Sequence, residues 1–301
     1  MREPLWQVRA MSVPKKVIVI GGLSSVALAL RRQLPEATYV VRHSAQPGDL
    51  VIGQYRDLTE AHLRGFDALI NCAGATSGSL TELESANVEL PAILARSARS
   101  AGVGKLVQVS SFAVYGDAER IDKATPARPA SGYGRSKLAG DRAILEMADE
   151  GFHPVVVRLP AIVDWRRGKG KVAQLLKTWL RVRFIPAPMG DVRRSMISST
   201  LAARVLAQVA CASSPSVLLA ADEQPFAYRP LADTLTADLG KKFGVVMLPR
   251  AVLAPLRVVA SGAYQSLFAS SIVDEASNFA RDLPSDLYPT ITKLAKVVSG
   301  R

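Results

Sequence analysis

The sequence predicts an α/β fold, a Rossmann doubly wound parallel sheet with a smaller C-terminal lobe, and three observations predict it. Short apolar runs alternate with helical stretches from Lys16 to Pro160, the pattern of a parallel sheet covered by helices on both faces. The first run ends on Gly21-Gly22 and enters a helix, the strand–turn–helix order that opens a dinucleotide-binding unit. The 301 residues are 49% apolar and 21% charged, which supplies a sizeable core and argues against disorder.

The elements follow in order. KVIVI (16–20) has the unbroken apolarity of a buried strand, and SSVALALRRQL (24–34) reads as the helix after it. Strands are expected at Thr38–Val41 and Leu50–Ile52, then a helix at Glu60–Gly65, then a strand at Ala68–Cys72 that stops at Ala73-Gly74. A helix over 82–101 ends near Gly102, where glycine suits a helix terminus. Strand Leu106–Ser110, a loop, a helix from about Gly132 to Glu150 and strand Pro154–Leu159 complete the alternation. Beyond Pro160 the rhythm changes. Val172–Val182 reads as a helix rich in Lys, Arg and Trp, broken by IPAPMG (185–190). Leu201–Ala212 is a further helix, and Val217–Ala220 a late strand returning to the sheet. Helices near 229–240 and 251–268 build the second lobe. The expected organisation is a leader at 1–15, a dinucleotide-binding domain at 16–160, and a lobe over 161–301 apart from the strand near 217–220.

Composition excludes several classes. The longest uncharged stretch, Val205–Ala221, contains Pro215 and is shorter than a spanning helix needs. No transmembrane segment is expected, and the N-terminus lacks the apolar core of a signal peptide. Two cysteines, Cys72 and Cys211, make neither a disulfide framework nor a zinc site. Three histidines leave little room for metal or triad chemistry, so no metal is expected and a reducing cytoplasm is the default. The net charge of +12 is concentrated, with ten Lys/Arg against two acids between Arg158 and Arg194. That segment suggests an anionic partner. Aromatics are only 6% of the chain and no recognition motif appears, which argues against nucleic acid. The basic stretch 166–183 also permits contact with a membrane surface, and a solvated helix face accounts for most of Arg166, Arg167, Lys169 and Lys171.

Candidate cofactor residues cluster in the first half. The Gly21 turn aims backbone N–H groups at a pyrophosphate. Asn71-Cys72-Ala73-Gly74 ends a strand with small residues that let a flat ligand pass, and Asp57-Leu58 can reach an adenine. A G-x-x-G-x-x-G spacing from Gly21 meets Ser24 and Ala27 instead of glycine. Alanine suits helix packing, whereas serine puts a Cβ where backbone approaches phosphate, or a hydroxyl that donates to it. Where NAD sites carry an acid about 20 residues on, this chain has Arg42, which fits a 2′-phosphate and tilts the choice between NAD and NADP toward NADP.

Tyr133-Gly-Arg-Ser-Lys137 is the strongest signal. Positions i and i+4 share a helix face, so a phenol lies beside an ammonium that should lower its pKa and let it exchange a proton with a substrate oxygen. Lys137 can also hold a ribose. The strand ending in Ser110-Ser111 precedes this helix, and Ser111 can hydrogen-bond the same oxygen.

At these residues the chain resembles the extended short-chain dehydrogenase/reductases of the NAD-dependent epimerase/dehydratase kind that act on nucleotide sugars. The resemblance rests on VIVIGG (17–22), Asp57-Leu58, FDALINCAG (66–74), Asn87, VSSFAVYG (109–116), YGRSK (133–137) and VVVRLP (155–160), and continues loosely through RRSMI (193–197). It implies Ser111, Tyr133 and Lys137 as the catalytic triad, a cofactor site including Asn87, and a C-terminal substrate lobe with Arg194 on a substrate diphosphate. Asn87 and Arg158 are implied to support rather than react. Family dehydratases resemble one another in an Asp-Glu pair after the catalytic hydroxyl, where this chain has Phe112-Ala113. Members that epimerise C3 and C5 use a Cys/His pair that it also lacks. A 4-epimerase or a 4-keto reductase remains, with a homodimer through helices 82–101 and 132–150. The competing reading is a non-catalytic dinucleotide-binding protein, a redox sensor or assembly factor, which Ser24 and Thr200 favour.

Overall fold

A computed structural model describes residues 16–43, 45–168, 171–249, 251–252 and 270–300. The expected leader and nearly all of the expected helix at 251–268 lie outside the described residues. The chain forms two compact units. Among the described residues, the first comprises 16–116, 126–159 and 202–220, and the second 117–125, 160–201 and 221–300.

The first unit holds a seven-stranded parallel sheet. Its strands are β1 (Val17–Ile20), β2 (Thr38–Val41), β3 (Leu50–Val51), β4 (Ala68–Asn71), β5 (Lys105–Ser111), β7 (His153–Leu159) and β11 (Val217–Leu219), in the order β11-β7-β5-β4-β1-β2-β3. Strand order reverses between β1 and β4, and ligands of open α/β sheets bind beyond the carboxyl ends of strands at such a point. Gly21 follows β1 there and Ala73-Gly74 follow β4. Four-residue strands with every side chain buried, as in β1 and β4, suit a sheet covered on both faces. The late strand β11 pairs with β7 as expected. The helix before it, α7 (Ser199–Cys211), is tied to β5 by the buried Lys105, whose ammonium donates to the Val209 and Ala212 carbonyls at the helix end.

The stretch expected as one helix over 82–101 has three parts: α3 (Leu80–Glu84), a π-turn (Ser85–Glu89) and α4 (Leu90–Ser100). Pro91 has no N–H to give the Asn87 carbonyl, and the run widens just before it. Helix α5 (Gly132–Leu145) packs on this π-turn through Gly140, whose missing Cβ would stand 1.9 Å from the Asn87 carbonyl oxygen. Helix α5 stops at Leu145 rather than 150. The Asp149 carboxylate instead accepts from the Gly151 and Phe152 amides at 2.8 Å each and closes a turn into β7.

The second unit packs around α6 (Lys171–Val182), α8 (Tyr228–Leu239) and α9 (Leu287–Val298), with Trp179 in its core beside Leu231, Leu235 and Ile291. Three short parallel ribbons complete it: β8 (Ala161–Val163) with β10 (Met196–Ser198), β6 (Arg120–Ile121) with β13 (Ile272–Val273), and β9 (Phe184–Pro188) with β12 (Gly244–Leu248). The IPAPMG segment is therefore mostly strand, not a break. Its prolines survive because β9 has one partner strand, which leaves positions that need no ladder N–H.

Replacing Gly140 with alanine should destabilise the protein by about 2 kcal/mol or more, because overpacking against a fixed carbonyl outweighs the roughly 1 kcal/mol helix-propensity gain. Urea unfolding measures this, and an unchanged or raised midpoint would contradict the close approach of α5 to the π-turn.

Candidate active site

One face of α5 carries Tyr133, Lys137 and Asp141, spaced four residues apart so that they stack one above another. Ser131 starts the helix, its hydroxyl accepting from the Gly134 amide at 3.0 Å. Gly134 brings this end against the chain after β5, since a Cβ there would meet the Ala113 carbonyl oxygen at 2.3 Å. Ser111 ends β5 beside that contact, its hydroxyl accepting from the Ala113 amide at 3.1 Å. Ser111 is thus brought to the same end of α5 as Tyr133, and its hydroxyl acts to lower the pKa of the phenol.

The expectation that Lys137 would acidify this phenol does not hold. Burial pushes the Tyr133 pKa above its usual value, the Ser111 hydroxyl pulls it down, and the Asp141 carboxylate pushes it further up. Lys137 is 6% exposed and donates to the Val109 carbonyl at 2.6 Å. Burial lowers its pKa to about 8, against Asp141 and Cys72, which favour the ammonium. A phenol in this setting stays protonated at neutral pH, while the amine sits near its titration point.

Asp141, on α5, was not foreseen from the sequence. It is 1% exposed, and its Oδ2 accepts from the Ser110 hydroxyl at 2.9 Å and from Arg158 Nε at 3.2 Å. Arg158 in turn donates to the Tyr115 hydroxyl at 2.8 Å. The carboxylate therefore ties α5 to the ends of β5 and β7. The other oxygen, Oδ1, is buried without a hydrogen bond, and burial raises the Asp141 pKa against Ser110, Arg158 and Lys137. The i, i+4 spacing from Lys137 was the available signal.

The cofactor candidates lie at the carboxyl ends of β1, β4 and β2. Gly21 has φ +78°, and a Cβ there would stand 2.8 Å from the Ala73 amide nitrogen. Gly22 is packed against Tyr39 and Val41 of β2. Gly74 is closely packed, since a Cβ there would stand 2.9 Å from Asn87 Oδ1 and 3.9 Å from Lys137 Nζ. Each missing Cβ would meet protein atoms, so these glycines let the turn after β1 close against β2 and the loop after β4 at the carboxyl ends of the strands, where open α/β sheets bind dinucleotides. Ser24 caps α1 (Ser25–Leu30), its hydroxyl accepting from the Ala27 amide at 3.2 Å. Serine therefore replaces the middle glycine at a helix cap, with its proton still available to a phosphate. Asn87 grips Ala75 by two bonds, donating to its carbonyl at 2.8 Å and accepting from its amide at 3.1 Å, and donates to Ser136 at 3.0 Å. It holds the loop after β4 in place. Arg42 sits 5.6 Å from the Tyr55 ring, just before Asp57-Leu58. The Leu58 side chain is buried in the core, so only its backbone can face a ligand.

Arg194 belongs to the second unit. Its backbone pairs with Phe226, and burial lowers its pKa against Tyr228. Arg166 is not a solvated cation: it lies 3.5 Å from Asp164, donates to Ser199 at 3.2 Å and stacks on Trp165. Among the described residues no three His, Cys, Asp or Glu converge as a metal site, and no helix is long and apolar enough to cross a membrane.

A nucleotide-binding parallel sheet with Ser, Tyr and Lys beside its switch point defines an extended short-chain dehydrogenase/reductase. The profile of the NAD dependent epimerase/dehydratase family matches residues 17–183, and the chain belongs to that family. It is 31% identical over 173 residues to a 4-hydroxy-2-methyl-3-oxo-4-farnesyl-3,4-dihydroquinoline-1-oxide ketoreductase of Stigmatella aurantiaca, covering 50% of each chain. It spans half the length of that relative. It is 23% identical to a UDP-glucose 4-epimerase of Vibrio cholerae over 87% of this chain and 85% of the other. The crystal structure of a UDP-glucuronic acid 4-epimerase from Bacillus cereus in complex with NAD superposes with a TM-score of 0.73 at 13% identity, covering 94% and 96%.

Because the folded Lys137 titrates near 8 and an unfolded lysine near 10.5, the unfolded chain binds more protons between those values. Stability should therefore rise with pH across that window. Lys137→Met should raise the melting temperature at neutral pH by a few degrees, with the advantage shrinking toward pH 10. A variant that melts lower at every pH would show that the amine stabilises the fold.

Proposed function

We propose that the protein is an NAD(P)-dependent oxidoreductase or epimerase acting at C4 of a nucleotide-diphosphate sugar, as a 4-epimerase or a 4-keto reductase, in surface polysaccharide synthesis. The observation that carries this reading is the close seating of the Tyr133 end of α5, through Gly134, on the end of β5 that carries Ser111, with Lys137 buried one turn on and bonded to the Val109 carbonyl.

The dinucleotide, when bound, supplies the acceptor and donor of hydride. Gly21, Gly22, Ser24 and Ala27 would lie along its pyrophosphate, Asp57 and Leu58 near its adenine, and Ala73 and Gly74 under its flat portion. Tyr133 passes a proton to or from the C4 oxygen. Ser111 hydrogen-bonds the same oxygen and shares its developing charge. Lys137 holds a ribose through its ammonium. Arg194 grips the substrate diphosphate through a guanidinium fork. Arg42, at the end of β2, would meet a 2′-phosphate and favour NADP. The helices α3–α4 and α5 offer a homodimer face, and the reducing cytoplasm is the proposed location.

Within this reading, reduction draws support from two facts. Burial keeps the Tyr133 phenol protonated, which suits proton donation to a ketone. The relative at 31% identity is named a ketoreductase.

Tyr133→Phe should lower turnover by at least a hundredfold with cofactor affinity nearly unchanged, and near-normal turnover would remove the triad assignment. Arg194→Ala should weaken nucleotide-sugar binding and spare the dinucleotide. Native mass spectrometry of fresh protein separates the reactions: co-purified NAD supports a self-recycling epimerase, and an empty protein that takes up NADPH, less tightly after Arg42→Ala, supports a reductase. Binding of neither dinucleotide would favour a non-catalytic role.

A further inference from the structure

The β9–β12 ribbon of the second unit has an outer face without a polar side chain. Parallel pairing sets Phe184 beside Gly244 and Pro186 beside Val246 on that face, while Pro188, beside Leu248 at the far end, is buried. The opposite face, with Ile185, Ala187 and Val245, turns into the core. The Phe184 ring lies across Gly244, where a Cβ would come within 3.1 Å of it. Phe184 is 56% exposed and Val246 43%, and Val182, Met189 and Met247 around the ribbon are 50%, 50% and 42% exposed. Large apolar side chains gathered this way on a surface mark an interaction site.

The charge at the end where both strands begin has one sign. Arg181 and Arg183 are exposed just before β9, and Lys241 and Lys242 just before β12. The two starts are joined, since the Gly244 amide donates to the Arg183 carbonyl at 3.0 Å. Arg183 has φ +58°, a left-handed conformation that favours glycine, so a large cation stands where the backbone favours another residue. The chain has no Asp or Glu between Asp164 and Asp191, or between Asp238 and Asp274, while these two stretches carry eleven Lys and Arg.

We infer that this face docks on the surface of an anionic phospholipid bilayer, Phe184 and Val246 entering the headgroup boundary and the four cations meeting lipid phosphates. An apolar patch with Lys and Arg clustered at one end is the chemistry of interfacial attachment. A second copy of the chain fits poorly, because self-pairing would bring the same four cations together. The inference stands apart from the proposed reaction, since none of these residues belongs to the site on α5.

The test is co-sedimentation of the full-length protein with vesicles of phosphatidylcholine, with and without phosphatidylglycerol. Binding should require the anionic lipid and weaken as salt is raised. Phe184→Ser should abolish most of it. Arg183→Gly, which suits the backbone at that position, should weaken it roughly fivefold and melt no lower than the parent. Absence of binding to anionic vesicles, or binding unchanged in both variants, would overturn the inference. So would a lipid-free dimer that Phe184→Ser dissociates, since the face would then belong to a second copy, or equal capture of parent and Phe184→Ser by a soluble polyanion.

Discussion

The burial of the Lys137 ammonium is the constraint on which the arrangement of the candidate site depends. A charged amine removed from water is costly unless partners replace the solvent. Here a backbone carbonyl at the end of β5 accepts from it, and a carboxylate one turn along α5 adds a favourable field. Asp141 is itself buried and needs its own partners, so Ser110 and Arg158 are drawn in from β5 and β7. The result is a chain of polar contacts running from α5 into the sheet. It fixes where Tyr133 can stand relative to Ser111, at a cost in stability that the packing around it must offset.

That packing depends on two residues with nothing to contribute chemically. Pro91 cannot supply the N–H that would close an α-turn on Asn87, and the helix relaxes into a π-turn. The Asn87 side chain then reaches Ala75 and Ser136, while its carbonyl receives Gly140 of α5 at a distance no Cβ could tolerate. A backbone defect in one helix and a missing side chain in another thus bring the loop after β4 and α5 into register.

The second unit follows a different logic. Among the described residues its ribbons are short and its core is built by three helices around Trp179. Positive charge is not spread evenly there. Arg166 is absorbed into a contact with Asp164, Ser199 and Trp165, while Arg181, Arg183, Lys241 and Lys242 stay in solvent beside apolar side chains. Segment charge alone gives these cations one role, but their surroundings give them at least two.

The sheet was legible in the sequence because each strand is a local apolar run that must be buried, and the glycines after β1 and β4 mark where backbone must approach backbone. The Ser111, Tyr133 and Lys137 positions were legible for the same kind of reason, since spacing by four on a helix is a local rule. The C-terminal helix over 287–298 carried its periodic apolar residues in plain view and was missed. The strand at 184–188 was hidden by its prolines, whose tolerance depends on having a single partner strand. Asp141, the π-turn at Asn87 and the direction of the Tyr133 pKa were decided only by the tertiary structure. Each depends on how much solvent is removed and on which group from a distant strand takes its place, and no local pattern records either quantity.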